Sequence, residues 1–160
     1  MNANDVKYMK IALEEAKKAF ECSEVPVGAV IVRNNEIVAV AHNLRETDRV
    51  ATAHAELIAI EEACRALGGW RLSECTLYVT LEPCPMCAGA IVNSRIDRVV
   101  YGASDSAAGC LGSVINFNSY PFNHAFDVEG GVLENECASI LRRFFENKRN
   151  KKREQTKNEK

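Results

Sequence analysis

Long apolar runs are missing from this sequence, and the longest, such as residues 27–32, have the length of a single strand. A membrane-spanning helix needs about 20 apolar residues, so we expect no membrane span. The first residues carry neither the basic region nor the apolar core of a secretory signal. Internal repeats and low-complexity linkers are also missing. These absences argue against a membrane protein, a secreted disulfide scaffold and a fibrous repeat protein.

Cysteine, by contrast, is plentiful, with seven residues in a chain of 160. The number is odd and no export signal is visible, so we expect free thiols and a cytoplasmic location. Cys64 lies on an apolar helical face and Cys75 beside a strand, which is typical of small core residues. Cys84 and Cys87 do not fit that interpretation.

The charge is distributed unevenly. The net charge is −2, but residues 142–160 hold nine Lys/Arg and three Glu. The remaining residues hold eleven Lys/Arg and nineteen Asp/Glu. An acidic body with a basic end is typical of contact with a polyanion, although a solvated helix end that serves solubility would have the same composition.

The hydrophobic pattern predicts one domain of mixed α and β structure. Apolar residues at helical spacing follow Asn4, a candidate N-cap, and a dense β-branched run occupies residues 76–81. The predicted helices are 5–21, 53–67, 84–94 and 133–149, and the predicted strands are 27–32, 37–41, 76–81, 98–102 and a final edge strand at 125–128. This order indicates a three-layer α/β/α sandwich over residues 1–149, followed by a basic, disordered tail at 150–160.

Two short motifs carry the chemistry of the chain. A Pro-Cys-Pro-Met-Cys run at 83–87 opens one predicted helix, and His-Ala-Glu at 54–56 lies near the start of another. In the first turn of a helix, free N–H groups and the helix dipole favour the thiolate, which is the metal-binding form of cysteine. The thiolates of Cys84 and Cys87 with the imidazole of His54 would leave the fourth position of Zn²⁺ for water, as in a catalytic site.

Glu56 is then the candidate general acid/base beside that water. Two alternatives remain: half of a four-sulfur structural zinc site, or a dithiol redox pair. The first lacks a second Cys-x-x-Cys, and the second leaves His54 and Glu56 without a function.

His-x-Glu followed by Pro-Cys-x-x-Cys resembles the zinc-dependent cytidine/deoxycytidylate deaminase superfamily. Segments 24–29, 41–46, 52–56, 76–89 and 109–113 are similar to its bacterial tRNA adenosine deaminase family, and the resemblance extends over about residues 5–150. It implies a five-stranded mixed sheet and the deamination of adenosine to inosine at the wobble position of an arginine tRNA. In that reaction a zinc-bound hydroxide attacks the ring carbon, Glu56 moves protons, and the C–N bond of a cyclic amidine is hydrolysed with release of ammonia.

The resemblance also implies site residues. One zinc ion per subunit would be held by His54, Cys84 and Cys87, and the substrate would be bound by Asn43, Asp105, Val27, Ala55 and Asn123. Asn43 could instead cap a loop as an Asx turn. Further expectations are a homodimer and binding of the tRNA anticodon stem-loop by Phe145, Lys148, Arg149, Lys151, Lys152 and Arg153, with packing of Phe144 and Phe145 in the core as the alternative. The family's lysine after Asp105 is missing, and Ala107 stands there.

Two other functions remain open at this point. A deaminase of free guanine or cytosine would share both motifs but would have little use for the basic C-terminal end. A non-catalytic, zinc-stabilised RNA-binding module would gain nothing from Glu56 beside an open coordination position.

Overall fold

The computed structural model describes residues 2–159. The elements in chain order are α1 (Ala3–Glu21), β1 (Gly28–Arg33), β2 (Glu36–His42), α2 (Arg45–Asp48), α3 (Ala55–Leu67), β3 (Cys75–Leu81), α4 (Pro85–Ser94), β4 (Arg98–Ala103), β5 (Asp127–Glu129) and α5 (Glu134–Asn158). A short 3-10 helix, Phe117–Ser119, lies between β4 and β5. No helix within residues 2–159 has the length and apolar character that crossing a bilayer requires.

The strands form one five-stranded mixed sheet in the order β2-β1-β3-β4-β5. β1 is antiparallel to both β2 and β3, whereas β3, β4 and β5 run parallel. Asn34 and Asn35 connect β1 to β2, and both have positive φ (51° and 61°), as a type I′ hairpin turn requires. The predicted five-stranded mixed sheet is therefore confirmed.

Both faces of the sheet are covered by helices. Because side chains alternate along a strand, Ile31 and Leu77 point to the face packed by α3 and α4. Val30 and Tyr78 point to the opposite face, which α1 and α5 cover. Gly28 allows α1 to approach closely, because a Cβ there would lie 1.9 Å from the carbonyl oxygen of Ala12. The structure thus confirms the three-layer sandwich.

A partly buried ionic cluster connects α1 to the amino ends of the parallel strands. The Asp5 carboxylate accepts hydrogen bonds from Arg98 at 2.7 and 2.9 Å and from the Tyr78 hydroxyl at 3.0 Å. Arg98 also contacts Glu129 of β5 at 2.6 Å. The hydrogen bonds from Arg98 lower the pKa of Asp5 against the opposing effect of burial. This cluster lies at the end of β4 opposite to the one that leads into the site.

The helix ends differ from the sequence-based expectation in two places. Asn2 rather than Asn4 caps α1, since its side chain accepts from the N–H of Asp5 at 2.8 Å. The helix α5 continues through residues 150–158, where a disordered tail was expected. Lys, Arg, Glu and Gln are strong helix formers, and neither Gly nor Pro occurs in this stretch to stop the helix.

Candidate active site

The structure brings His54, Cys84 and Cys87 together. His54 is the N-cap of α3, Cys84 is the N-cap of α4, and Cys87 lies in the first turn of α4. The Nδ1 atom of His54 lies 3.7 Å from the Sγ of Cys84 and 3.6 Å from the Sγ of Cys87. The three donor atoms all lie within 4.8 Å of one another. Two helix amino ends therefore converge on one point.

The spacing of these atoms fits a tetrahedral zinc site. With Zn–S near 2.3 Å and Zn–N near 2.0–2.1 Å, two ligands at a tetrahedral angle put sulfur and nitrogen about 3.6 Å apart. The two sulfur–nitrogen distances, 3.7 and 3.6 Å, match that value. The group contains no third cysteine, so the four-sulfur structural site is not formed by residues 2–159.

The electrostatics of the group favour a thiolate. A hydrogen bond with Cys87, aided by His54, lowers the pKa of Cys84 to about 4. The hydrogen bond with Cys84, with burial, raises the pKa of the Cys87 thiol, and the bond to Cys84 raises that of His54. In effect the Cys84 thiolate is shared by a thiol and an imidazole. A divalent cation binding there would displace these protons, because metal ligands bind in their deprotonated forms.

Glu56 lies in the first turn of α3 and is only 4% exposed. Burial raises the pKa of Glu56 to about 7, although the nearby His54 opposes the shift. A carboxyl group that titrates near neutral pH both accepts and releases a proton readily, which is the property that general acid/base catalysis needs.

A pocket opens above these residues. It is lined by Val25, Val27, Asn43, Arg45, His54, Ala55, Glu56, Leu81, Glu82, Cys84, Asp105 and Ala108. Four of the five residues expected to bind substrate, namely Val27, Asn43, Ala55 and Asp105, thus share one pocket with His54, Cys84 and Glu56. Their roles toward a substrate stay predictions.

Asn43 is buried and its amide is engaged inside its own loop. Its side-chain NH₂ donates to the carbonyl oxygen of Val25 at 3.3 Å, and its oxygen accepts from the N–H of Arg45 at 3.2 Å. These contacts confirm the loop-capping interpretation, and the residue lines the pocket as well. Asp105 likewise caps a turn by accepting from the N–H groups of Ala107 and Ala108 at 2.9 and 3.2 Å.

Asn123 is not among the pocket residues. It lies exposed in the loop before β5, next to Phe122, whose ring stacks on that of Phe117 at 5.2 Å. The neighbouring His124 contacts the carbonyl oxygen of Ile96 at 2.7 Å. Within this single chain, Asn123 is thus separate from the pocket.

The two phenylalanines of α5 have different environments. The ring of Phe144 packs edge-on against Phe20 of α1, at 5.9 Å between centroids, so Phe144 contributes to the packing of α5 on α1. Phe145 is 41% exposed. The basic residues that follow are all exposed, namely Lys148, Arg149, Lys151, Lys152 and Arg153.

Sequence reasoning missed Arg45 and Glu82, which both line the pocket. Arg45 begins α2, a four-residue helix in the stretch between the predicted strand at 37–41 and the predicted helix at 53–67. Its place two residues after Asn43 was a signal that could have identified it. The position of Glu82 directly before the Pro-Cys-x-x-Cys motif was the corresponding signal for that residue.

The chain matches the MafB19-like deaminase family over residues 3–149. It is 57% identical over 155 residues to the tRNA-specific adenosine deaminase of Bacillus subtilis (strain 168), a match that covers 96% of each chain. A solved structure from a study of A-to-I editing by tRNA:A34 deaminases at the wobble position of transfer RNA aligns with a TM-score of 0.82 and 47% identity, covering 84% of this chain and 99% of the other. The guanine deaminase from Bacillus subtilis aligns with a TM-score of 0.60 and 40% identity, covering 65% of this chain and 66% of that one.

The three-layer fold and the His/Cys/Cys group beside a buried glutamate thus define an enzyme of the deaminase class, with a cytidine deaminase-like fold. Within that class the chain belongs to the family of tRNA-specific adenosine deaminases, because the 57% identity extends over almost its whole length.

Proposed function

We propose that this chain catalyses the zinc-dependent hydrolytic deamination of adenosine to inosine at the wobble position of a tRNA, with an arginine tRNA as the expected substrate. The observation that carries the proposal is the placement of Glu56 in one pocket with two of the three candidate zinc ligands, His54 and Cys84. The choice of tRNA is supported by the relatives, which are tRNA-specific adenosine deaminases and a tRNA:A34 deaminase structure.

His54, Cys84 and Cys87 would hold the zinc ion. When bound in this way, zinc activates a water molecule as a nucleophile at neutral pH. Glu56 accepts a proton from the attacking water and donates one to the departing amine. Water adds at the amino-bearing ring carbon and the carbon–nitrogen bond breaks, so adenosine and water give inosine and ammonia.

The pocket walls suit a flipped-out nucleoside. The side chain of Val27 and the buried Ala55 offer apolar contact to a base, while Asn43 and Asp105 offer polar groups at the rim. Arg45 adds a half-exposed guanidinium on the same rim. A guanidinium pairs well with phosphate. Arg45 would therefore supply the positive charge that is lost where Ala107 replaces the family's lysine.

The carboxyl end of α5 would contact the RNA backbone. Lys148 and Lys152 are four residues apart, as are Arg149 and Arg153, so each pair lies on one helix face. The ion pairs formed within residues 2–159 do not engage these four side chains. They would therefore contact phosphates of the anticodon stem-loop, and the exposed Phe145 would stack on an unpaired base.

A homodimer in the cytoplasm completes the proposal. The loop between β4 and β5 exposes large apolar side chains at Val114 (54%), Tyr120 (49%) and Phe122 (50%), which would suit contact with a second copy. Light scattering of the purified chain tests this point directly. A monomer that deaminates at the full rate would contradict the dimer.

Ammonia release tests the function against its rivals. The chain would be given an anticodon stem-loop with a wobble adenosine, the same RNA with guanosine at that position, free guanine and free cytosine. We expect ammonia from the first substrate alone. Release from free guanine instead would assign the activity of the guanine deaminase that the fold also resembles. No release from any substrate would indicate a non-catalytic RNA-binding module.

A further inference from the structure

The pocket lies between two loops. The backbone of each loop donates hydrogen bonds to one buried glutamate. On the first side, Glu24 follows α1 and is fully buried. Its two carboxylate oxygens accept from the N–H groups of Glu46 and Thr47, each at 2.9 Å. These N–H groups belong to the first turn of α2, which starts with Arg45. Glu24 thus holds the segment that carries Asn43 and Arg45.

On the second side, Glu82 lies between β3 and the zinc motif and is 1% exposed. Its carboxylate accepts from the N–H groups of Asp105, Leu111 and Ser113, each at 3.0 Å, and from the Ser113 hydroxyl. The loop packs closely against this carboxylate, as shown at Gly109, where an added Cβ would lie only 2.3 Å from a carboxylate oxygen. Glu82 thus holds the segment that carries Asp105.

Both carboxylates are compensated by hydrogen bonds rather than by ion pairs. The ion pairs within the described part of the chain include neither glutamate. Burial alone would raise the pKa of Glu24, but the donated hydrogen bonds outweigh burial and lower it. An uncompensated buried charge is strongly unfavourable, so each loop and its glutamate stabilise one another.

We propose that Glu24 and Glu82 are positioning residues, each of which fixes one loop at the rim of the pocket so that Asn43 and Arg45 on one side and Asp105 on the other face the target nucleotide. The inference rests on the proposed function for its consequence in catalysis. The fixing of the loops themselves does not depend on any substrate.

Glutamine is the informative replacement at both positions. It keeps the size of the side chain but offers one oxygen and an NH₂ group that can only donate. In Glu24→Gln the new NH₂ group replaces an oxygen that accepts from one of two N–H groups. In Glu82→Gln it replaces an oxygen that accepts from two of four donors, which are three N–H groups and one hydroxyl. At least one buried N–H then loses its partner and the loop loosens.

Hydrogen exchange measures the loosening without any substrate. In Glu82→Gln we expect exchange at the N–H groups of Asp105, Leu111 and Ser113 to be at least about tenfold faster, a change of about 1.4 kcal/mol in opening free energy. Exchange at Glu46 and Thr47 should stay unchanged, and Glu24→Gln should give the reverse pattern. Asp5→Asn is the matched control, since Asp5 is an equally buried carboxylate at the far end of the sheet.

Kinetics on the anticodon stem-loop tests the consequence. Because misplaced contacts weaken both binding and alignment, kcat/KM should fall about tenfold to 100-fold in each glutamine variant, with KM raised and the metal content unchanged. Asp5→Asn should leave KM at its original value. A purely structural role would reduce the amount of folded enzyme and leave KM unaltered, and that result would overturn the proposal.

Two further outcomes keep the tests separate. Unchanged exchange in both loops would overturn the proposal whatever the activity. A wild-type chain that deaminates no RNA would overturn the proposed function, while the exchange experiment would still decide whether the glutamates fix the loops.

If Glu82→Gln does not fold, Ser113→Ala removes one donor from the same carboxylate, and we expect a smaller increase of exchange confined to residues 105–113.

Discussion

The Sγ of Cys87 lies 3.6 Å from the Nδ1 of His54, although the two residues are 33 positions apart in the chain. The contact forms because α3 and α4 begin side by side at the carboxyl end of β3. Each helix therefore contributes its amino end, with unpaired N–H groups and a partial positive charge, to the same point. That placement favours a thiolate and brings together three side chains that could hold a metal ion.

Glu56→Gln should keep the fold and the metal while lowering deamination by roughly 10²–10⁴-fold, the usual contribution of general acid/base catalysis. The amide retains the shape of the buried side chain but cannot carry the proton. Glu62→Gln, an exposed position on the same helix, is the control and should retain full activity. Appreciable turnover by Glu56→Gln would contradict the role assigned to this residue.

Cys87→Ala should bind zinc much more weakly, because two of three protein ligands are not enough to hold a tetrahedral site. Metal analysis of the purified variant after brief exposure to a chelator is the measurement. Cys64→Ala lies on α3 outside the His/Cys/Cys group and should retain one metal per chain. Full occupancy in Cys87→Ala would refute the ligand set.

The basic end of α5 should govern the salt dependence of RNA binding. Replacing Lys148, Lys151 and Lys152 with Gln removes three cations and should reduce the slope of log K against log salt by about 2, since each phosphate contact to single-stranded RNA contributes about 0.7. Replacing the exposed Lys7, Lys10 and Lys17 of α1 makes the same change in net charge elsewhere. An equal effect from both triple variants would show that only net charge matters.

Stability in acid should depend on the pair formed by Asp5 and Arg98. The pKa of Asp5 lies below its ordinary value of 3.8 in the folded chain, so the pair stabilises the fold above about pH 5 and this stabilisation is lost as the pH falls through 3.8 and below. Asp5→Asn should lower the free energy of unfolding by about 2 kcal/mol at pH 7 and flatten its dependence on pH below 5. Urea titrations at pH 3, 4, 5 and 7 measure both effects.

The same titrations test whether the Asp5 carboxylate acts as an ion in the fold. If Asp5→Asn loses as much stability at pH 3 as at pH 7, the Asp5 carboxylate has no ionic role in the fold.

The sheet and the metal group could be predicted because their signals are local. Strands appear as β-branched runs and helices as apolar residues at helical spacing, and the Pro-Cys-x-x-Cys motif occupies adjacent positions in the sequence. Predicting that His54 and Cys84 lie close together required only the expectation that each residue begins a helix.

The remaining features depend on tertiary contacts that leave no local pattern. The N–H groups of the first turn of α2 donate to Glu24, a residue more than twenty positions earlier, so the local sequence around α2 does not indicate a helix. The loop held by Glu82 is fixed in the same way, by donors 23 to 31 positions later. The extension of α5 was missed for a different reason, since a polar composition fits a solvated helix as well as a disordered tail.

The most direct test of the central claim is a position-by-position inosine assay on a full-length arginine tRNA that carries a wobble adenosine, with the wild-type chain and Glu56→Gln in parallel. We predict that the wild-type chain converts the wobble adenosine alone and that the variant converts none within the same time. A wild-type chain that leaves the wobble adenosine intact while retaining one zinc ion per subunit would contradict it.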